Sequence, residues 1–248
     1  MLIVGRNPVI EAIKFNPHSI KKIIVLNNLS DNKLIEIIKT AEKNSITVEK
    51  KNKIEFEKIF DKRDKSKGIS QGIAAETEEF AYANYNKTLT NLKNKEKATV
   101  VLLDEIQDPH NLGAIIRTSV AAGADAIFIT EKNSAKVNHT VIKTSSGAAN
   151  YIDIVQVNSI YQAIQDLNNA GLEVIGTSLN AKSYHSGYKF ANKTAIVLGN
   201  EAIGLRKNVL KLCDNVIKIQ IIGRIDSLNV SVAAGVLLYE ILRQRTNP

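Results

Sequence analysis

TVVLLDEIQDPHNLGAIIRTS, residues 99–119, decides the architecture. After Thr99, Val100–Leu103 are apolar without alternation, the pattern of a strand covered on both faces. A polar Asp-Pro-His-Asn turn follows, and then apolar residues at helical spacing. Strand, polar turn and helix in that order make half of a parallel β-α-β unit. Further strands are expected at 125–130, 151–155, 172–177, 194–198 and 215–221. Helices are expected at about 112–122, 138–147, 159–169, 204–212 and 229–244. The last carries Val230, Ala234, Leu237 and Ile241 on one stripe. The fold class is α/β, and pattern alone predicts an ordinary open sheet because chains rarely knot.

Upstream the pattern is similar but smaller. KKIIVL (21–26), SITVEK (45–50) and SQGIAAET (70–77) read as strands. LIEIIKTAEKN (34–44), with Leu34, Ile37, Ile38 and Ala41 in register and Asp31 as a cap, reads as a helix, and IEFEKIF (54–60) as another. Residues 77–97 are polar and lack sustained periodicity, so they read as a linker holding a helical turn or two. The organisation expected is a small α/β domain at 1–76, a linker at 77–97 and a larger α/β domain at 98–248.

Charge follows that division. The 248 residues carry a net +8, and residues 1–75 hold 15 Lys and Arg against 9 Asp and Glu. Most of the excess therefore lies in the first third, which suits a lobe gripping a polyanion. Abundant Lys on a solvated face accounts for the same numbers.

Several classes are excluded by sequence. The longest nearly apolar stretch, Val230–Tyr239, contains Ser231 and Gly235 and is far too short to span a bilayer. MLIVGRNPVIEAIK at the start is interrupted by Arg6, Asn7, Pro8 and Glu11, unlike a signal peptide. One cysteine, Cys213, fits a reducing cytoplasmic setting. No GxGxxG follows the first strand of the larger domain and there is no GxSxG. GNEAIG (199–204) has P-loop glycine spacing, but Leu205 and Arg206 stand where Lys and Ser/Thr are needed. His18, His110, His139 and His185 are scattered, so no metal site is expected.

Three loops remain, each just after an apolar strand, where ligands bind in α/β sheets. They are DEIQDPHNLGAIIRTS (104–119), IVLGNEAIGL (196–205) and IQIIGRIDSLNVSVAAG (219–235). Alone, each also has a plain structural reading. Asn111 can be a helix cap with Arg117 solvated, Gly199 and Glu201 can form a strand-to-helix turn, and Ser227 or Asn229 can cap the last helix.

Taken together, DPHNLGAIIRT, LGNEAIGL and SLNVSVAAG resemble the three motifs of the SpoU-type RNA 2′-O-ribose methyltransferases of the SPOUT superfamily. GRNPVIEAIK near the start, with Gly5, Arg6 and Glu11, is similar to the opening of that family's long subtype, and SQG (70–72) stands where HQG is usual. The resemblance covers nearly the whole chain. It implies an L30e-like α/β RNA-binding domain ahead of a SPOUT α/β catalytic domain with a C-terminal trefoil knot, in place of the open sheet. It also implies S-adenosylmethionine (SAM) as methyl donor, a homodimer, and a guanosine ribose of large-subunit (23S) ribosomal RNA as target. Transfer RNA, another ribosomal position and a catalytically silent RNA-binding protein are the alternatives. Carried over, Gly199, Ile219 and Leu228 match cofactor-contacting positions, and Asn111, Arg117, Glu201, Ser227 and Asn229 match the polar positions around the ribose. Gln220 departs from the usual proline and Ser70 from the usual histidine.

The implied reaction is an in-line displacement needing no metal and no covalent intermediate. What it asks of the protein is positioning, worth up to about 7–11 kcal/mol, and help with a poorly acidic proton. Arg117 stays protonated and is a poor literal base. Its expected role is to hold the adjacent phosphate and stabilise the developing alkoxide, with Glu201 fixing Arg117 or nearby backbone donors.

Overall fold

The computed structural model describes residues 2–15, 17–27, 32–59 and 70–246. Asp31, the expected cap, lies outside them, as do Phe60 and the rest of 60–69. Backbone contacts divide the chain into two compact units, 1–80 and 81–248.

The first unit is a four-stranded sheet in the order β1-β4-β2-β3. Its elements are β1 (Leu2–Val4), α1 (Arg6–Phe15), β2 (Ile20–Leu26), α2 (Asn32–Lys43), β3 (Thr47–Lys51), α3 (Lys53–Glu57) and β4 (Ile73–Thr77). β2 and β3 are parallel, while β4 runs antiparallel to β1 and β2. Leu34, Ile37 and Ala41 of α2 are buried together with Val9 and Ile13 of α1 and Ile23 of β2. Helix α3 starts one residue before the expected 54–60, because Asn52 and Glu55 form a reciprocal capping box there.

The second unit contains α4 (Tyr85–Lys93), β5 (Ala98–Leu103), α5 (Pro109–Ala121), β6 (Ala126–Thr130), α6 (His139–Thr144) and β7 (Asp153–Val157). It continues with α7 (Ile160–Asn169), β8 (Glu173–Thr177), β9 (Ser183–Tyr184), β10 (Lys193–Leu198), α8 (Lys207–Leu210), β11 (Asn215–Lys218) and α9 (Val230–Thr246). Seven strands pair in the order β7-β6-β5-β10-β8-β11-β9, and every pairing is parallel. All six residues of β5 are buried, as its unbroken apolar run requires.

Several bounds differ from the sequence reading. Residues 85–93, within the expected linker, form α4, capped by Asn84 and packed into the larger unit through Leu92, Leu89 and Tyr85. The Tyr85 hydroxyl donates to Asp166 of α7 at 2.7 Å. Helix α8 spans only Lys207–Leu210, and β11 stops at Lys218, leaving residues 219–229 without helix or strand. Gly113 lets α5 approach α6, since a Cβ there would lie 2.6 Å from Thr144 Cβ.

Strand order positions the site. From β5 the chain moves to β6 and β7 on one side, and later to β8 and β10 on the other. The reversal falls between β5 and β10, and the crevice beyond their C-terminal ends is where such sheets bind ligands. Helix α9 begins at that crevice and runs back about 25 Å. Near its end Arg245 donates to the carbonyls of Ala98 at 2.9 Å and Asn192 at 2.8 Å, at the opposite ends of β5 and β10.

Candidate active site

Asp108 starts the first loop's helix. Its side chain accepts from His110 N at 2.8 Å and Pro109 occupies the first helical turn, so α5 opens three residues earlier than a cap at Asn111 would allow. This corrects the capping role considered for Asn111, which instead sits inside the helix and is buried. A buried amide has to be paired. Asn111 Nδ2 donates to Glu201 Oε1 at 3.1 Å, and Asn111 Oδ1 accepts from Asn229 Nδ2 at 2.9 Å. Glu201 also accepts from the backbone amides of Asp108 at 3.4 Å and Gln107 at 3.5 Å. Asn229 serves twice, because its Oδ1 accepts from Ser231 N at 2.8 Å and so caps α9. One residue from each of the three loops thus meets in a continuous polar chain.

The second loop is folded on itself. A Cβ at Gly199 would collide with the backbone of Gly204 and Leu205, so the close approach this glycine permits is to its own loop. Asn200 ties that loop to the first. Its Nδ2 donates to the Glu105 carbonyl at 2.9 Å, and its Oδ1 accepts from Ala202 N at 2.9 Å. Glu105 takes a left-handed φ of 60°, a strained conformation for a side-chain-bearing residue. Arg206 adds a second tie. It pairs with buried Asp104 at 2.9 Å and with Glu105 at 3.3 Å. Burial pushes the Asp104 carboxyl above its ordinary range, against the pull of Arg206. Sequence reading used Arg206 only as a mismatch to the P-loop and passed over Asn200 and Asp104. The signal available for Asn200 was its place between Gly199 and Glu201.

A cleft of about 860 Å³ opens here, within the size range of small-molecule sites. Its lining includes Asn111, Gly199, Glu201, Ile219, Ser227, Leu228 and Asn229, seven of the eight residues singled out from sequence. Arg117 is the eighth and is not in the lining. It lies six residues beyond Asn111 on α5, about 9 Å further and a third of a turn off. Its side chain is exposed, with no hydrogen bond or ion pair to the described residues, and Glu201 holds backbone amides instead of Arg117.

The cleft's apolar walls come from Leu198, Leu205, Leu210 and Leu237, among others. The segment 219–228 borders it and takes part in no backbone hydrogen bond among the described residues. Backbone donors and acceptors left unpaired beside a cleft are available to a ligand.

The sequence pattern of the SpoU rRNA methylase family matches residues 98–239. The chain belongs to this family. A second pattern, described as RNA 2′-O ribose methyltransferase substrate binding, matches residues 2–83. SpoU membership makes the chain an RNA methyltransferase. A Staphylococcus epidermidis protein named for the TrmH family of tRNA/rRNA methyltransferases is 34% identical, over 99% of this chain and 96% of its own. Among solved structures, the SpoU methyltransferase AviRb from Streptomyces viridochromogenes, in complex with AdoMet, superimposes with a TM-score of 0.68. It is 22% identical, covering 100% of this chain and 91% of its own. An AdoMet-bound rRNA methyltransferase from Sinorhizobium meliloti gives 0.66 at 24% identity, covering 100% and 88%. These likenesses show that this SpoU chain shares their fold.

Proposed function

We propose that this SpoU protein transfers a methyl group from SAM to the ribose 2′-hydroxyl of a guanosine in large-subunit ribosomal RNA. The observation that carries the reading is the Glu201–Asn111–Asn229 chain, which draws the three motif loops to one cleft at the sheet's switch point. The cleft fits the cofactor on its own terms: apolar walls, adequate volume and an adjoining stretch of unpaired backbone. Gly199, Ile219 and Leu228 would hold SAM there, largely through main-chain groups. When bound, SAM supplies a methyl carbon already activated by its sulfonium.

The chain's own task is then orientation and charge. Asn111 and Asn229 present fixed amides to the reacting ribose, and Ser227, which makes no hydrogen bond to the described residues, adds a donor or acceptor for it. Glu201 is a positioning residue, since both its oxygens are occupied by donors of the first loop. Arg117 is permanently cationic and exposed, so it can take the phosphate beside the target and stabilise the developing alkoxide, with that phosphate accepting the proton.

The same reading includes a homodimer, a C-terminal trefoil knot and a cytoplasmic setting. Ile203, Ile222, Ile225 and Val232 are large apolar side chains exposed at the cleft mouth and on α9, and a second subunit would cover them. No helix among the described residues is long and apolar enough to cross a membrane. The test incubates purified protein with SAM and separate 23S rRNA and tRNA transcripts, then maps ribose methylation by primer extension at limiting nucleotide. One modified guanosine in the 23S transcript is expected. Modification of tRNA alone would redirect the substrate, and none in either would reject the activity.

A further inference from the structure

Residues 130–135, at the end of β6 and just beyond it, do not line the cleft, yet they brace the first motif loop. Thr130 Oγ1 accepts from Glu105 N at 3.0 Å. Asn133 Nδ2 donates to Glu105 Oε1 at 3.5 Å, and Ala135 N donates to the Ile106 carbonyl at 2.8 Å. From the other side, Asn200 donates to the Glu105 carbonyl and Arg206 pairs with the Glu105 carboxylate. The N–H, the carbonyl and the side chain of one residue are thus all held, by two loops far apart in sequence.

What they hold is a costly conformation. Glu105 has a φ of 60°, which a residue with a Cβ keeps only where its surroundings impose it. Glycine takes the same φ without penalty. The turn comes two residues after β5 and three before Asp108, the cap of α5. Chain direction at Glu105 therefore sets where Gln107 and Asp108 offer their amides to Glu201, and where α5 presents Asn111. Glu105 is itself absent from the cleft lining, and its side chain is only 21% exposed.

We infer that Glu105 is a positioning residue for methyl transfer. Its side chain, gripped by Arg206 and Asn133, fixes a left-handed turn that aims Asn111 at the ribose. The inference rests on the proposed activity and adds to it a residue outside the cleft. With the grip released, the start of α5 is free to shift, and a misplacement of about 1 Å at a reacting centre can cost about 10²-fold in rate.

The test compares full-length wild type, Glu105→Gly and Glu105→Gln on the transcript that the wild type methylates. Glycine keeps the left-handed turn accessible while removing the grip, and glutamine keeps an Oε1 acceptor for Asn133 and Arg206. Single-turnover transfer at saturating SAM and RNA should fall about tenfold or more in Glu105→Gly, with calorimetric SAM affinity within about twofold of wild type. Glu105→Gln should recover the rate to within about threefold of wild type. Without any turnover, the Gln107 and Asp108 amides should exchange with deuterium about tenfold faster in Glu105→Gly than in wild type.

A Glu105→Gly rate within twofold of wild type would overturn the inference. So would SAM affinity falling in step with the rate, which is the signature of a damaged cleft. Glu105→Gln as slow as Glu105→Gly would show that the acceptor atom is not what holds the turn, and would overturn it as well. If Glu105→Gly unfolds, Thr130→Val removes the brace on the Glu105 N–H and should slow transfer with SAM affinity kept; an unchanged rate there counts against the inference. A wild type that transfers no methyl group defeats the activity itself. The exchange measurement then decides the turn alone, and equal exchange in wild type and Glu105→Gly rejects it.

Discussion

The loops after β5 and β10 are built differently from the segment that follows β11. Residues 104–111 and 199–206 are cross-tied by Asn200 to Glu105, Arg206 to Asp104, and Glu201 to Asn111 and two backbone amides. Residues 219–228 border the same cleft with no backbone hydrogen bond among the described residues. One half of the site is finished by the protein alone, while the other has polar groups still to be satisfied. Under the proposed function the difference reads as a division of labour: a preorganised wall for the ribose faces a segment completed by what binds. Arg117 belongs with the second group, being exposed and without a partner among the described residues.

Arg117→Ala makes the largest break. Removing a charge-stabilising donor from a transition state costs about 10²–10³-fold in rate. Because Arg117 bonds none of the described residues, its loss should leave thermal stability and SAM affinity nearly unchanged. Single-turnover methyl transfer, calorimetric SAM titration and a melting curve measure the three together. A rate unchanged within a few-fold would remove Arg117 from the chemistry, and lost SAM binding would reassign it to the cofactor.

Gly199→Ala strikes the finished half instead. The new Cβ would meet the backbone of Gly204 and Leu205, which cannot rotate away as a side chain can. Overpacking of this kind costs about 1–3 kcal/mol, and denaturant unfolding should show it as a lower midpoint at unchanged slope. A variant as stable as wild type would mean that the 199–205 loop is adaptable, and the contrast drawn between the two halves would fail.

Much of this was legible in the sequence. The central strands β5, β6 and β10 are nearly uninterrupted apolar runs, as a sheet covered on both faces requires, whereas β7 and β11 carry polar residues toward the edges. The two-residue β9 has no pattern long enough to read. Helix α4 escaped because Leu89 and Leu92 are its only aliphatic side chains, in an otherwise polar stretch. In the site, the motif resemblance marked Asn111, Glu201 and Asn229 as candidates, but not what joins them. Asn111 was open to a capping reading because Asn is a good cap, and it was Asp108 with Pro109 that claimed the helix start. The tie between Arg206 and Asp104 spans residues far apart in sequence, and no local pattern signals it. Arg117 is the reverse case: the resemblance marked it for the chemistry, but its separation from the cleft follows only from its angle on α5.

Amide hydrogen exchange sharpens the contrast most directly, with a smaller effect. A ligand at 100 times its dissociation constant adds at most about 2.7 kcal/mol to whatever opening it opposes, a ceiling near 100-fold in protection. Only amides whose exchange requires losing the ligand show that gain. Those of residues 219–228 have no backbone partner among the described residues to begin with, so saturating SAM should slow them by about tenfold or more. The amides of Gln107 and Asp108 already donate to Glu201, and those of Ala202 and Ile203 to Asn200, so the same titration should slow these four less. Mass spectrometry of peptic fragments, with and without SAM, compares the segments in one sample. Equal slowing in all of them would mean that the whole cleft forms on binding; slowing confined to 107–111 would reverse the assignment of the two halves.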